Sequence, residues 1–218
     1  MKLPREEITR KLLHLFALVM PAGIYCIPMF GLPWYVPTII LAAVLAGSVI
    51  IEHWRMKNPV VQKVFYKAVG SMLRSDEKHR VTGSTWVIGA AFICSIVFRE
   101  ESWISLVVLT LFILGDAVAA LVGMSIGRIR IGKKSLEGSV ACFILCMLLL
   151  TALFPLVPGA LDRFGGKLPL VVSTVVAFTI TFFELVPLRV TRNLTVNDNL
   201  AVPVIAGFAL QLLAGIFA

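Results

Sequence analysis

WISLVVLTLFILGDAVAALVGMSI, residues 103–126, carries a single ionisable side chain, Asp116. About 20 apolar residues suffice to cross a ~30 Å hydrocarbon core, so this run predicts a transmembrane helix with one carboxylate sunk inside it. Six further apolar segments lie along the 218 residues, at 12–30, 34–51, 82–98, 138–157, 168–188 and 200–218. Backbone polar groups in lipid must be satisfied within their own segment, so all seven are expected to be helices. The expected fold is all-α: a polytopic membrane helical bundle of about seven transmembrane helices, forming one domain over residues 1–218.

The composition agrees. Hydrophobic residues make up 59% of the chain and charged residues 15%, with a mean hydropathy of +0.94, where a soluble domain carries about 25% charge. Little chain remains for a soluble domain, which excludes a cytosolic enzyme with an appended anchor, a secreted protein and a disordered tail. Cys26, Cys94, Cys142 and Cys146 all fall inside apolar runs and read as small hydrophobes, not as a disulfide framework or zinc site. The polar start, Met1 to Lys11, is followed by no small-residue cleavage site, so the first hydrophobic segment is expected to be retained as a span. Residues 52–81 form a long basic stretch in which Trp54, Val60, Val61, Val64, Phe65, Val69, Met72 and Leu73 alternate with Lys and Arg. It is expected to be an amphipathic helix lying in the membrane interface.

Net charge is +8 with a pI near 9.6. Of the 20 Lys and Arg, 17 fall in the N-terminal segment and the second, fourth and sixth loops, against 3 on the other side. That asymmetry puts the N-terminus in the cytoplasm and the C-terminus outside. It also explains the basic pI by topology and anionic headgroups, with no nucleic-acid partner. The sequon at Asn193 would then face the cytoplasm and carry no glycan.

Carboxylates within spans are costly, so each is a candidate functional group. Glu52, Asp116, Glu137 and Glu184 all sit on the cytoplasmic half or edge, and His14, Asp198 and Asn199 join them at that level. Asp116 lies 11 residues before Gly127, about 16 Å along a helix, a depth that calls for a wet or metal-filled cavity or a cationic partner such as Arg10. Small residues at 115, 119, 123 and 127 share one stripe of that helix, where a neighbour can approach closely.

The loop 127–139, GRIRIGKKSLEGS, holds three glycines and five ionisable groups between two spans. Backbone amides at the start of the following helix, with Arg128, Lys133, Lys134 and Ser135, suit a phosphate-binding loop. It is not a Walker A motif, because Lys134 stands where Ser or Thr is required and no strand precedes it. Asp116 and Asp198, with Asn199 beside the latter, are candidates to hold Mg2+ that bridges nucleotide phosphates. Arg10 and His14 fall on one helical face next to Lys11.

At these residues the chain resembles the polyprenol kinase family, the CTP-dependent lipid kinases that include dolichol, phytol and diacylglycerol kinases. The resemblance rests on Arg10-Lys11-x-x-His14, Gly115-Asp116-x-x-Ala119 with Gly123 and Gly127, Lys134-Ser135-x-Glu137-Gly138-Ser139, and Asp198-Asn199-Leu200-x-x-Pro203. Thr82-Gly83 and Glu184 also look like family features. The resemblance implies Mg2+-dependent transfer of the γ-phosphate of CTP to the hydroxyl of a membrane lipid alcohol, a polyprenol, phytol-like isoprenoid alcohol or diacylglycerol. It implies a site facing the cytoplasm from the cell membrane. Arg10, Lys11, Arg128, Lys133, Lys134, Ser135 and Asn199 would bind nucleotide or phosphate, Asp116 and Asp198 the metal, and Glu184, Glu137 or His14 would accept the hydroxyl proton. The stretch from Asp116 to Gly138 is also similar to phosphatidate cytidylyltransferase, which attacks the α-phosphate of CTP. An ion-coupled transporter is the alternative of another class. The clustering of charge at one face and the lack of repeat halves weigh against it.

Overall fold

The structure is a computed structural model that describes residues 10, 14–70, 80–186, 188–191 and 194–218. Lys11, the sequon at Asn193 and most of the second half of the 52–81 stretch lie outside the described residues. The apolar helices are α1 (His14–Met29), α2 (Tyr35–Lys57), α4 (Gly83–Val97), α5 (Ser102–Ser125), α6 (Leu136–Leu148), α7 (Leu170–Leu185) and α8 (Asp198–Phe217), with a short amphipathic α3 (Pro59–Val69) after α2. α6 runs on through a π turn, Leu149–Leu153, and a 3-10 turn, Phe154–Leu156. Two small antiparallel ribbons interrupt the helical pattern: β1 (Arg130–Ile131) with β2 (Lys134–Ser135), and β3 (Arg189–Thr191) with β4 (Leu194–Thr195).

Four helices, including α2, α5 with its leading 3-10 turn, the extended α6 and α8, are long and apolar enough to cross a membrane; α1, α4 and α7 are apolar but shorter. The outward surface is what lipid would solvate. Ile39, Ile144, Phe178 and Leu212 are each more than half exposed, an apolar exterior that water would penalise at roughly 25 cal/mol per Å².

α5 is the centre of the bundle, where Ile104, Val107, Val108, Leu109, Leu111 and Ile113 are fully buried. Its small-residue stripe allows α6 to come close. A Cβ on Gly115 would stand 2.8 Å from Cys142 Sγ, and one on Gly123 would stand 2.6 Å from Ser135 Oγ. From the α6 side, a Cβ on Gly138 would collide with the Ala119 carbonyl oxygen. The four cysteines are free thiols.

Among the described residues, the 52–81 stretch is divided between the end of α2 and α3. α2 continues through Lys57, and the break comes at Asn58-Pro59, where the Asn58 side chain accepts hydrogen bonds from the amides of Val60 and Val61 and Pro59 opens α3. The helix survives its charged residues because two of them neutralise each other. Arg55 Nε donates to Glu52 Oε2 at 2.6 Å, and both side chains are buried. Glu52 Oε1 also accepts from the Thr82 hydroxyl (2.6 Å) and amide (3.1 Å), and Arg55 donates to the Arg80 carbonyl. Glu52, a sequence candidate for chemistry, is thus the clasp that ties the end of α2 to the start of α4.

Side chains link the apolar helices at both ends of the bundle. At the end carrying Glu100 and Glu101, Glu101 pairs with Arg163 and accepts from Gln211, and the Tyr25 hydroxyl donates to the Pro158 carbonyl at 2.6 Å. The opposite, basic end holds the groups described next.

Candidate functional site

The basic end opens into a cavity of ≈ 780 Å³ walled by α1, α2 and α4 and floored by α5, α8 and β2. Arg10, His14, Asp116, Lys134, Asp198 and Asn199 line its polar end, all of them residues singled out from the sequence. Thr82, Gly83 and Ser84 from the start of α4 complete that rim. Away from the rim the lining becomes wholly apolar and follows α1 as far as Ile27 and α2 back to Pro37.

The turn chemistry of the loop after α5 explains how Lys134 reaches the cavity. Gly132 takes a left-handed φ of 62° at the first central position of the two-residue hairpin turn between Ile131 and Lys134. The carboxylate of Glu137 accepts from the amides of Arg128 (2.8 Å) and Ile129 (3.1 Å), which staples the hairpin to α6. Ser135 Oγ caps α6 by accepting from the Gly138 amide at 3.1 Å and lies buried against Gly123 and Gly127. Arg128 and Lys133 are exposed on the hairpin and do not line the cavity.

Lys134 is where the hairpin, α7 and α8 meet. Its Nζ donates to the Glu184 carbonyl, lies 2.9 Å from Glu184 Oε1 and 3.0 Å from Asp198 Oδ2. Burial works against its ammonium, but the Glu184 and Asp198 carboxylates outweigh that penalty and hold the lysine above its ordinary pKa. The Glu184 side chain is buried behind Lys134 rather than on the cavity wall, and among the described residues its Oε2 has no hydrogen-bond partner. Asn199 Nδ2 donates to the Gly83 carbonyl at 3.0 Å, tying the start of α8 to the start of α4. His14 Nε2 stands 3.6 Å from Asp116 Oδ2, beyond a hydrogen bond but within ion-pair range when the imidazole is protonated.

An uncharacterized protein of Rickettsia prowazekii (strain Madrid E), RP860, is similar to this chain. The two are 24% identical over 206 residues, which span 90% of this chain and 89% of the relative. No family model matches the chain. No solved structure matches it.

Among the described residues, no group of three or more His, Cys, Asp or Glu side chains is placed to hold a metal ion by itself. Asp116 and Asp198 nevertheless supply two hard oxygen donors to one cavity, both partly accessible. Carboxylate oxygens are the donor type Mg2+ takes, usually one or two of them with phosphates and water completing the shell. Thr82 and Gly83 entered the sequence reading only through the resemblance, and Ser84 not at all; Phe65, which also lines the cavity, was read only as part of an interfacial stretch. Their signal was indirect: a polar Thr-Gly-Ser-Thr start to an otherwise apolar span.

Proposed function

We propose that the protein transfers the γ-phosphate of a nucleoside triphosphate, CTP by the resemblance, to the hydroxyl of a membrane lipid alcohol. One observation carries this reading: a single cavity joins a charged rim, suited to phosphates, to an apolar trough suited to a lipid chain. A water-soluble substrate would need no trough, and a lipid alone would need no such density of charge. On this reading the seven apolar helices all span the cell membrane, and the basic end faces the cytoplasm, where the nucleotide is.

Mg2+ held through Asp116 and Asp198 would screen the charge of the phosphates, the main demand of phosphoryl transfer. Lys134 and Arg10 at the same rim add fixed positive charge, and Asn199 adds a polar contact. Of the three candidate bases, Glu137 is engaged with backbone amides and Glu184 with Lys134, whereas His14 lines the cavity. In the proposed step the lipid hydroxyl oxygen bonds to the γ-phosphorus while the bond from γ-phosphorus to the bridging oxygen breaks. The hydroxyl proton passes to His14, and the nucleoside diphosphate leaves. Asp116, 3.6 Å from His14, stabilises the imidazolium so formed.

The test is incubation of the purified protein with a panel of lipid alcohols and CTP labelled separately at the γ and α positions. Label from the γ position in the lipid is the expected result. Label from the α position would replace the kinase by a cytidylyltransferase, and no transfer of either label across the panel would favour transport.

A further inference from the structure

We infer that the apolar trough holds one hydrocarbon chain of the substrate lipid, inserted tail-first along α1, and that Gly23 sets how far the chain reaches. The inference rests on the lipid-alcohol reading only for the identity of the headgroup.

The trough has the length of a lipid chain. From His14 at the charged rim to Ile27 at the far end is 13 residues of α1, roughly 20 Å at 1.5 Å per residue. One leaflet of a ~30 Å core offers only about 15 Å, so a chain lying in the trough passes the midplane. The cavity, charged rim included, measures ≈ 780 Å³, room for a long hydrocarbon chain. The trough also has an entrance, because Phe16 and Val19 on α1 and Ile40 and Val44 on α2 line it while being largely exposed on the outer, lipid-facing surface. A lipid can therefore enter sideways between α1 and α2 without its headgroup crossing the hydrocarbon.

Gly23 lies about two-thirds of the way along this path, nine residues from His14 and four from Ile27. It lines the trough, and a Cβ added there would meet only Ile27 Cδ1, at an ordinary 3.8 Å. The space beside Gly23 is thus empty for want of a side chain. A large residue would fill it with little disturbance to the helix and would leave the polar rim untouched.

The test uses two photoreactive straight-chain alcohols of about 20 and about 10 carbons, one to reach the far end of the trough and one to stop near Gly23, each with a diazirine at the tail end. They are reconstituted with the full chain in bilayers, and crosslinked residues are mapped by mass spectrometry. The long probe is expected to label the Ile27 and Pro37 region and the short one the region around Gly23. Gly23→Phe should cut long-probe labelling at Ile27 by about tenfold and spare the short probe, while Gly23→Ala behaves as the wild type. Labelling confined to outward lipid-facing residues such as Ile144, or a Gly23→Phe pattern identical to wild type, overturns the inference. Because the readout is a covalent adduct and not turnover, labelling at Ile27 without phosphate transfer would uphold the trough while removing the kinase.

Discussion

Lys134 Nζ stands 2.9 Å from Glu184 Oε1, so a carboxylate 50 residues further along the chain, buried behind the cavity lining, holds the hairpin lysine at the charged rim. The pairing makes stability depend on alkaline pH. Because the folded lysine titrates above its ordinary value, the contribution is fully present below about pH 10.4 and is lost as pH rises through the raised value. Lys134→Met leaves Glu184 buried without its cation. The fully buried case costs about 3–5 kcal/mol; with Lys134 a quarter exposed, about 2–3 kcal/mol is expected. Thermal unfolding in detergent between pH 8 and 11.5 should show a steep alkaline loss in the wild type that the Lys134→Met protein lacks. Superimposable pH profiles would dissociate the pair from stability.

The Glu52–Arg55 clasp makes a sharper energetic prediction, because both side chains are buried. Glu52→Ala strands the Arg55 guanidinium and should destabilise by about 3–5 kcal/mol. The double variant Glu52→Ala/Arg55→Leu should recover part of that loss, since an apolar side chain tolerates the site better than an unpaired charge. A double-mutant cycle with no coupling would mean that Thr82 and the Arg80 carbonyl, not the ion pair, hold α2 to α4.

Much of this was legible because its cause is local. Apolar runs dictate helices, and the spacing of Gly115, Ala119, Gly123 and Gly127 announced a close neighbour, which proves to be α6. Asp116 announced itself by being the one charge in a long apolar run. What was not legible depends on partners far along the chain: Lys134 choosing Glu184 and Asp198, or Glu137 spending its carboxylate on the Arg128 and Ile129 amides instead of facing the cavity. The misplacement of the α2 end has a different origin. Glu52 read as a candidate functional carboxylate at the start of an interfacial stretch, yet its three-residue spacing from Arg55 lets the two pair on one helix face and stay buried.

The closeness of α5 and α6 can be tested at Gly138, whose Cβ would meet the Ala119 carbonyl, a backbone atom that cannot swing aside. Gly138→Ala should cost about 1–3 kcal/mol through forced separation of the helices. Gly47→Ala on α2 is the control, since nothing lies within 4 Å of its added Cβ. There the better helix propensity of Ala should leave stability unchanged or raise it by up to ~1 kcal/mol. Equal melting temperatures for Gly138→Ala and wild type would show that α6 is free to shift.

Asp116 is the residue on which the proposed chemistry turns, and its substitution separates folding from function. Asp116→Asn keeps the shape of the side chain and removes the charge that faces His14 across 3.6 Å. The side chain is partly accessible, and an amide there can hydrogen-bond to cavity water, so the melting temperature should hold. Phosphate transfer should fall by about 100-fold or more, the scale of losing a positioned electrostatic group at a reacting centre. His14→Gln should reduce turnover as well, because it removes the proposed acceptor of the hydroxyl proton. Turnover by Asp116→Asn within a few-fold of wild type would take this carboxylate out of the reaction and leave it as a structural partner of α1.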